Sequence, residues 1–306
     1  MLFSRKTVGL EIYQEGARMV LLEKRKDKLH LESSGAIVFP VDTLKVSLKE
    51  PNVLHPAQFV QAIREMHLRL LTKNEQVAVS LPDSIGRVML IDLETRFKNK
   101  EEGASIIRWK LKKNFPFDIN EAHLDYQVLL EKESGEITAL VSLISRQVLH
   151  QYEELLLEAG LQPKQIDFTT FNLYNLFAKR LELAENSAVL VGYGESVSIL
   201  IFSGGVLSFY RAKEIPGGMK EANRVFREIN SSLLVYNDKY PLNTITEVFY
   251  ICPPRDTETF SSVVSEAMGK EPVLLDVTRM IEGADVVEKE TIHSLAAALG
   301  AAARGY

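Results

Sequence analysis

The sequence has few of the residues that build disulfide-rich or metal-binding proteins. Its 306 residues include one cysteine, Cys252, and six scattered histidines. A single thiol excludes a disulfide framework and a thiolate metal site, and the histidine spacings match no metal-ligand pattern. The cysteine content favours a reducing compartment, and we expect Cys252 to be a small buried apolar residue.

Long apolar stretches and a strong excess of either charge are also absent. No apolar run approaches the roughly 18 residues of a membrane-spanning helix. Glu11 interrupts the first apolar segment, which argues against a signal peptide. The net charge of −5 is mild and argues against a nucleic-acid-binding protein, which would carry a basic face. These features predict a cytosolic protein with no nucleic-acid partner.

Three apolar runs between Ala188 and Gly218 stand out in the second half of the chain. They are rich in β-branched and aromatic residues, as strands are, and Gly-bearing turns join them. Gly217 and Gly218 close the series before a helix. Glycine turns let the backbone approach a phosphate closely, so this stretch is the first candidate for a nucleotide site.

The amino-terminal part has a similar arrangement. Residues 6–12, 17–23 and 28–38 are predicted to form three consecutive strands, and residues 187–215 repeat this meander. In each half a helix comes later. We interpret the recurrence as an internal duplication, and the alternative is plain recurrence of hairpins in an α/β chain.

A β-α-β-β unit interrupts the first half. A strand at 87–93 precedes a helix whose apolar stripe runs from Ile106 to Phe115, and strands at 124–130 and 137–144 follow. Ser145 is then predicted to cap a helix. Apolar periodicity predicts further helices at 56–70, 173–184, 219–236, 257–268 and 294–303.

Several short motifs resemble one known family over nearly the whole chain. They lie at residues 1–3, 8–12, 114–118, 125–128, 227–236 and 297–305. In their order and spacing they resemble the type IV pilus assembly protein PilM family, also filed as competence protein A and related to the division protein FtsA. The resemblance implies an α/β protein with the actin-like ATPase fold, which consists of duplicated ribonuclease H-like domains.

The resemblance also predicts a division of the chain. Residues 1–82 and 145–186 would form the first actin-like domain, 1A. Residues 83–144, the β-α-β-β unit, would correspond to the inserted subdomain that is called 1C in FtsA. Residues 187–306 would form the second domain, 2A, with a reduced 2B around residues 219–270.

The chain departs from the family where nucleotide phosphates would lie. Glu11 replaces the usual Asp, and we weigh it evenly as a relic of a metal site or as a solvated charge at a strand edge. Gly192-Tyr193-Gly194 replaces Asp-Ile-Gly, so the carboxylate is missing. Cys252-Pro253-Pro254 replaces the adenosine-side glycine pair. Gly217-Gly218 is kept, although these glycines also suit a simple turn from strand to helix.

These departures argue against a working nucleotide site. Glu15 and Glu195 would repel a triphosphate, and phosphoryl transfer needs positioned cations and ligands for Mg²⁺. We therefore predict no catalytic residues, no metal site and no cofactor, with ATP and Mg²⁺ as the alternative. The degenerate cleft that the resemblance predicts consists of Glu11, Gly192, Gly194, Gly217 and Gly218.

The resemblance also implies a partner. PilM-like proteins bind the cytoplasmic amino-terminal tail of a single-span inner-membrane pilus protein, PilN-like, in a groove that involves the first domain and its insertion. The first hypothesis is thus a cytoplasmic adaptor of a type IV pilus or related type II secretion complex, attached peripherally to the inner membrane through this partner. The alternatives are an active PilM-type ATPase and an actin-like protein that self-associates into polymers.

Two basic clusters are candidates for contact with anionic lipid or an acidic partner. Ordinary solvated charge is the alternative interpretation of both. The first cluster lies on the inserted helix and the second at a hairpin turn. They comprise Arg108, Lys110, Lys112 and Lys113, and Lys24, Arg25, Lys26 and Lys28.

Overall fold

The computed structural model describes residues 6–25, 28–112, 118–282 and 288–304. The strands of the first half are β1 (Lys6–Tyr13), β2 (Gly16–Arg25), β3 (Lys28–Val38), β4 (Gln76–Leu81), β5 (Gly86–Leu93), β6 (Ala122–Glu131), β7 (Ile137–Ser145) and β8 (Gln162–Phe168). Those of the second half are β9 (Ser187–Tyr193), β10 (Ser196–Ser203), β11 (Val206–Glu214), β12 (Glu247–Ile251), β13 (Val273–Leu274) and β14 (Ile281–Glu282). The helices are α1 (Pro56–Arg69), α2 (Lys100–Leu111), α3 (Arg146–Glu158), α4 (Thr169–Leu176), α5 (Ala178–Leu181), α6 (Ala222–Lys239), α7 (Thr257–Met268), α8 (Lys289–Ser294) and α9 (Ala296–Ala303).

The two large sheets share one topology. The first has the order β14-β3-β2-β1-β4-β8 and the second the order β11-β10-β9-β12-β13. In each, a central strand pairs antiparallel with the next strand in sequence and parallel with a later one, β4 or β12. The shared order and direction confirm the internal duplication, because chance recurrence of hairpins would not reproduce the parallel crossovers.

The predicted β-α-β-β unit forms a separate three-stranded sheet with the order β5-β7-β6. Helix α2 contributes the buried side chains of Ile107 and Leu111 to the core of this unit. Leu90 and Leu140 instead pack against the cluster between the two halves. The insertion therefore contacts the second half as well as the first. Phe115 and Lys113, which were assigned to this helix from the sequence, fall in 113–117, outside the described residues.

The alanine-rich helix α9 lies between the two large sheets and packs on β1 and α4. Gly9 of β1 permits this approach, since a Cβ there would lie 2.0 Å from the carbonyl oxygen of Ala298. Small side chains on α9 bring the backbones of helix and strand together. This packing holds the end of β1 close to the end of β9.

Several local predictions were wrong. The helix predicted over 173–184 is divided at Phe177 and the one over 294–303 is divided at Leu295, since neither residue continues a helix across the junction. Ser145 occupies the position before α3, but its buried side chain makes no capping hydrogen bond. Strand β14 was not predicted because two residues carry no periodicity. No helix in the described part of the chain is long and apolar enough to cross a bilayer.

Candidate functional site

Glu11 lies at the junction of the two halves. Its side chain is 2% exposed, and it stands directly opposite Arg18 on β2. An Nη1 atom of Arg18 donates a hydrogen bond of 3.1 Å to Oε2 of Glu11. The solvated-edge interpretation of Glu11 is therefore wrong, because the carboxyl group is buried and paired.

Tyr193 of β9 connects the second half to this pair. Its hydroxyl lies 3.1 Å from Oε2 of Glu11 and 3.1 Å from the carbonyl oxygen of Ser294. Because a phenol has one proton, it cannot donate fully to both. Burial raises the pKa of Glu11, and the charge and hydrogen bond of Arg18 and the hydrogen bond of Tyr193 partly offset this increase.

Tyr13 completes the cluster. The guanidinium carbon of Arg18 lies 4.1 Å from the centre of the Tyr13 ring, a cation–π geometry. Arg18 is thus held between a carboxyl group and an aromatic face. The cation that could otherwise meet a phosphate is engaged within the chain.

Three of the predicted glycines, Gly194, Gly217 and Gly218, form a second contact, which joins the turn after β9 to the turn after β11. Gly217 and Gly218 have φ angles of +91° and +55° and join β11 to a short 3₁₀ turn. The backbone N–H of Gly217 donates to Oε1 of Glu195 at 2.8 Å. A Cβ on Gly218 would lie 2.7 Å from the carbonyl oxygen of Gly194. The carboxylate of Glu195 therefore takes an N–H donor that a phosphate would need.

Gly192 belongs to neither contact. A Cβ at Gly192 would lie 3.1 Å from the ring of Phe260 on α7, so this position faces away from Tyr193. Cys252, at the end of β12, is 1% exposed, and burial raises the pKa of its thiol to about 12. A buried, neutral thiol agrees with the expected apolar role. Within the residues that the structure describes, no three His, Cys, Asp or Glu side chains are grouped to hold a metal ion.

A second polar link between the halves was missed from the sequence. Asp83, which lies just before β5, accepts hydrogen bonds from the Oγ1 of Thr170 at 3.0 Å and from the hydroxyl of Tyr210 at 3.2 Å. Thr170 in turn lies 2.7 Å from the hydroxyl of Ser198. Burial raises the pKa of Asp83 to about 6, and these hydrogen bonds only partly offset it. Nothing in the local sequence marks Asp83, since its partners lie far along the chain.

A groove of about 260 Å³ lies between the first sheet and the insertion. Strand β8 is the edge of that sheet and pairs with β4, and no other described strand pairs with it. The ring of Phe168 fits against Gly86 at the start of the insertion, where a Cβ would lie 2.3 Å from it. The residues that line the groove include His123 and Ser142 of the insertion, Leu149 of α3, and Gln165, Ile166 and Phe168 of β8.

Comparisons with known proteins identify one family. A family model described as "Type IV pilus assembly protein PilM" matches residues 9–233. No curated protein sequence matches the chain significantly.

Solved structures share the fold. A PilM–PilN type IV pilus biogenesis complex matches with a TM-score of 0.80 at 19% identity, over 99% of each chain. The cytoplasmic domain of EpsL, an inner-membrane component of the type II secretion system of Vibrio cholerae, has a TM-score of 0.52 at 13% identity, over 81% of this chain and 83% of that one. A Bacteroides thetaiotaomicron protein of unknown function with the actin-like ATPase fold has a TM-score of 0.55 at 14% identity, over 92% and 95%. These matches confirm the predicted actin-like ATPase fold.

Proposed function

The chain belongs to the type IV pilus assembly protein PilM family, and from this premise we propose that it is an adaptor rather than an ATPase. It binds the cytoplasmic amino-terminal tail of a single-span inner-membrane protein, PilN-like, in a type IV pilus or related type II secretion complex. It is cytoplasmic and reaches the inner membrane through that partner. The observation that carries the proposal is the groove between β8 and the insertion.

The groove has the features that an extended peptide requires. Within the described residues, Gln165–Phe168 pair with β4 on one side only, beyond the irregular pairing near the start of β8, and the backbone N–H of Phe168 donates to Oδ1 of Asp167. A peptide that adds to this edge gains main-chain hydrogen bonds, and alternate side chains enter pockets that set specificity. Leu149 and Ile166 supply apolar walls within reach of such side chains.

Titration calorimetry with a synthetic tail peptide tests this assignment. The peptide should match the amino-terminal cytoplasmic tail of the single-span protein encoded beside this chain. We expect saturable binding that Leu149→Arg abolishes, because Leu149 is half-buried in the groove. The matched control is Leu157→Arg, on the same helix but 57% exposed, and it should bind normally. No binding at tens of micromolar, or equal loss in both variants, would refute the groove.

The contacts at the junction of the halves support the second part of the proposal, a degenerate nucleotide site. Arg18 is occupied by Glu11 and Tyr13, and the N–H of Gly217 is occupied by Glu195. Binding a nucleotide would break these contacts and bring its phosphates close to two carboxyl groups. Residues 11–18 and 193–218 therefore act as fixed links between the halves.

A further inference from the structure

Two arginines of the insertion region converge without a partner of opposite charge. Nη1 of Arg108 on α2 lies 3.2 Å from the carbonyl oxygen of Ala122, and Nε of Arg146 lies 3.3 Å from the same atom. Arg108 also donates to the carbonyl of Ile119 at 2.6 Å. Among the described residues, no carboxylate lies within 4 Å of either guanidinium.

Two guanidiniums that share one neutral acceptor repel each other. The pKa of Arg108 is lowered by its loss of contact with water and by the charge of Arg146. The first turn of α3, which begins at Arg146, contains no acidic residue to offset this charge. Guanidinium forks match phosphate geometry, so an anion between them would relieve the repulsion and complete the pair.

A large apolar side chain follows Arg108 on α2. Trp109 is the only tryptophan of the chain and is 80% exposed. Lys112, one helical turn after Arg108, is also exposed, and α2 has no acidic residue from Gly103 onwards. An exposed tryptophan flanked by cations is typical of surfaces that rest on the headgroup region of a bilayer.

The second basic cluster lacks this character. Arg25 is paired with Glu23 and Glu32, at 2.6 and 2.7 Å, and Lys28 lies 3.9 Å from Glu282. Lys26 falls outside the described residues. The described charges of the second cluster are thus largely balanced by carboxylates, so this cluster offers no comparable excess of positive charge.

The arginine pair adjoins the proposed peptide groove. Ala122 pairs with Ser145, and the next pair along β6 and β7 is His123 with Ile144, both of which line the groove. If the groove holds the tail of a membrane-spanning partner, as proposed above, this end of the insertion is brought near the bilayer. The charge of the arginine pair, the exposure of Trp109 and the position beside the groove thus all favour contact with a bilayer.

We infer that Arg108, Trp109, Lys112 and Arg146 form a lipid-docking surface for an anionic phospholipid bilayer. The two guanidiniums hold a lipid phosphate, Trp109 enters the headgroup region, and Lys112 adds attraction to neighbouring anionic lipids. This surface acts together with the partner's tail, so the chain has two weak attachments to the membrane complex.

The single tryptophan makes the test direct, and it uses the full chain without any tail peptide. Vesicles of phosphatidylcholine are compared with an equal mixture of phosphatidylcholine and phosphatidylglycerol. We expect a blue shift of Trp109 emission and co-sedimentation with the anionic vesicles, and a loss of both at high salt. Neutral vesicles should give neither.

Variants assign the binding to this surface. Arg146→Glu and Lys112→Glu should each weaken vesicle binding by at least about tenfold, because each charge reversal removes an attraction to the anionic surface and adds a repulsion. Arg146→Glu should fold, because a carboxylate is favourable at the start of a helix. Lys270→Glu makes the same charge change at an exposed position beyond α7 and should bind normally. Trp109→Ala, followed by sedimentation, should also bind more weakly.

Three results would overturn the inference. The first is no binding to anionic vesicles, and the second is equal loss in Lys270→Glu and Arg146→Glu. The third is a blue shift of Trp109 emission with a polyglutamate peptide but not with vesicles. That result would assign the surface to an acidic protein segment. The proposed groove is tested independently, because the tail titration needs no lipid and the vesicle assay needs no tail peptide.

Discussion

The hairpins β1–β2 and β9–β10 have the same construction but different chemistry. Tyr13 pairs with Gly16 and Tyr193 pairs with Ser196, and each two-residue turn between them ends in a glutamate. The hairpins differ at the cross-strand pair two residues before the tyrosine. In the first hairpin this pair is Glu11 with Arg18. In the second hairpin it is Val191 with Ser198.

Equivalent positions of the two hairpins make different contacts. By register, the counterpart of Glu11 is Val191, one residue before the Gly192 that the sequence motif singled out. Tyr13 stacks on Arg18 of its own hairpin, whereas Tyr193 reaches across to Glu11. One copy keeps the charges and the other supplies the hydroxyl that joins the halves. The two copies therefore share a backbone arrangement, while their side chains at the cleft differ and contact one another.

Removing the charge from the first hairpin should have the largest effect. Glu11→Ala leaves Arg18 without its carboxyl partner, and breaking a buried pair in this way costs about 3–5 kcal/mol of unfolding free energy. Glu11→Gln keeps hydrogen bonding to Tyr193 and should lose clearly less. Urea unfolding of both variants measures the difference, and an unchanged midpoint for Glu11→Ala would break the comparison.

The glycine turns that follow β9 and β11 come next. Gly218→Ala must adopt a φ of +55° and also brings Cβ to 2.7 Å from the oxygen of Gly194, so we expect a loss of about 3 kcal/mol. Gly194→Ala is the matched control, with a φ of +60° and no atom within 4 Å of its Cβ. It should lose about 1 kcal/mol. Equal losses would show that the close contact between the turns is unimportant.

The two tyrosines sharpen the comparison further. Tyr193→Phe removes the hydroxyl that reaches Glu11 and Ser294 and should cost about 1–2 kcal/mol. Tyr13→Phe keeps the ring on which Arg18 stacks and should cost close to nothing. Thermal and urea unfolding distinguish them, and the reverse order of stability would contradict the different roles assigned here.

The smallest expected effect is a pH dependence at the second link between the halves. With its pKa raised to about 6, Asp83 gives stability that is fully present below about pH 4 and lost as the pH rises through about 6. Asp83→Asn cannot titrate, so its unfolding free energy should fall less steeply over this range. We expect a difference on the order of 1 kcal/mol, reduced by partial solvent access. If the unfolding free energies of the two proteins change with pH in parallel, Asp83 does not contribute a titrating group to this link.

Much of the fold was predictable from local pattern. The strands of both meanders and helix 257–268 follow apolar periodicity closely, and hairpin register alone would have placed Arg18 opposite Glu11. The contact of Tyr193 with Glu11 was not predictable, because 182 residues separate them and the contact depends on how the two halves pack together. The bonds of Asp83 were hidden for the same reason. The domain boundaries at 82, 145 and 187 remain predictions.

The central claim is that side chains, not a nucleotide, join the two halves at the cleft. Titration calorimetry of the chain with ATP and Mg²⁺ tests it most directly, with sedimentation of the same samples to detect polymers. We predict no saturable heat and no nucleotide-dependent assembly. Saturable binding that Glu11→Ala abolishes would contradict the claim that the nucleotide site is degenerate.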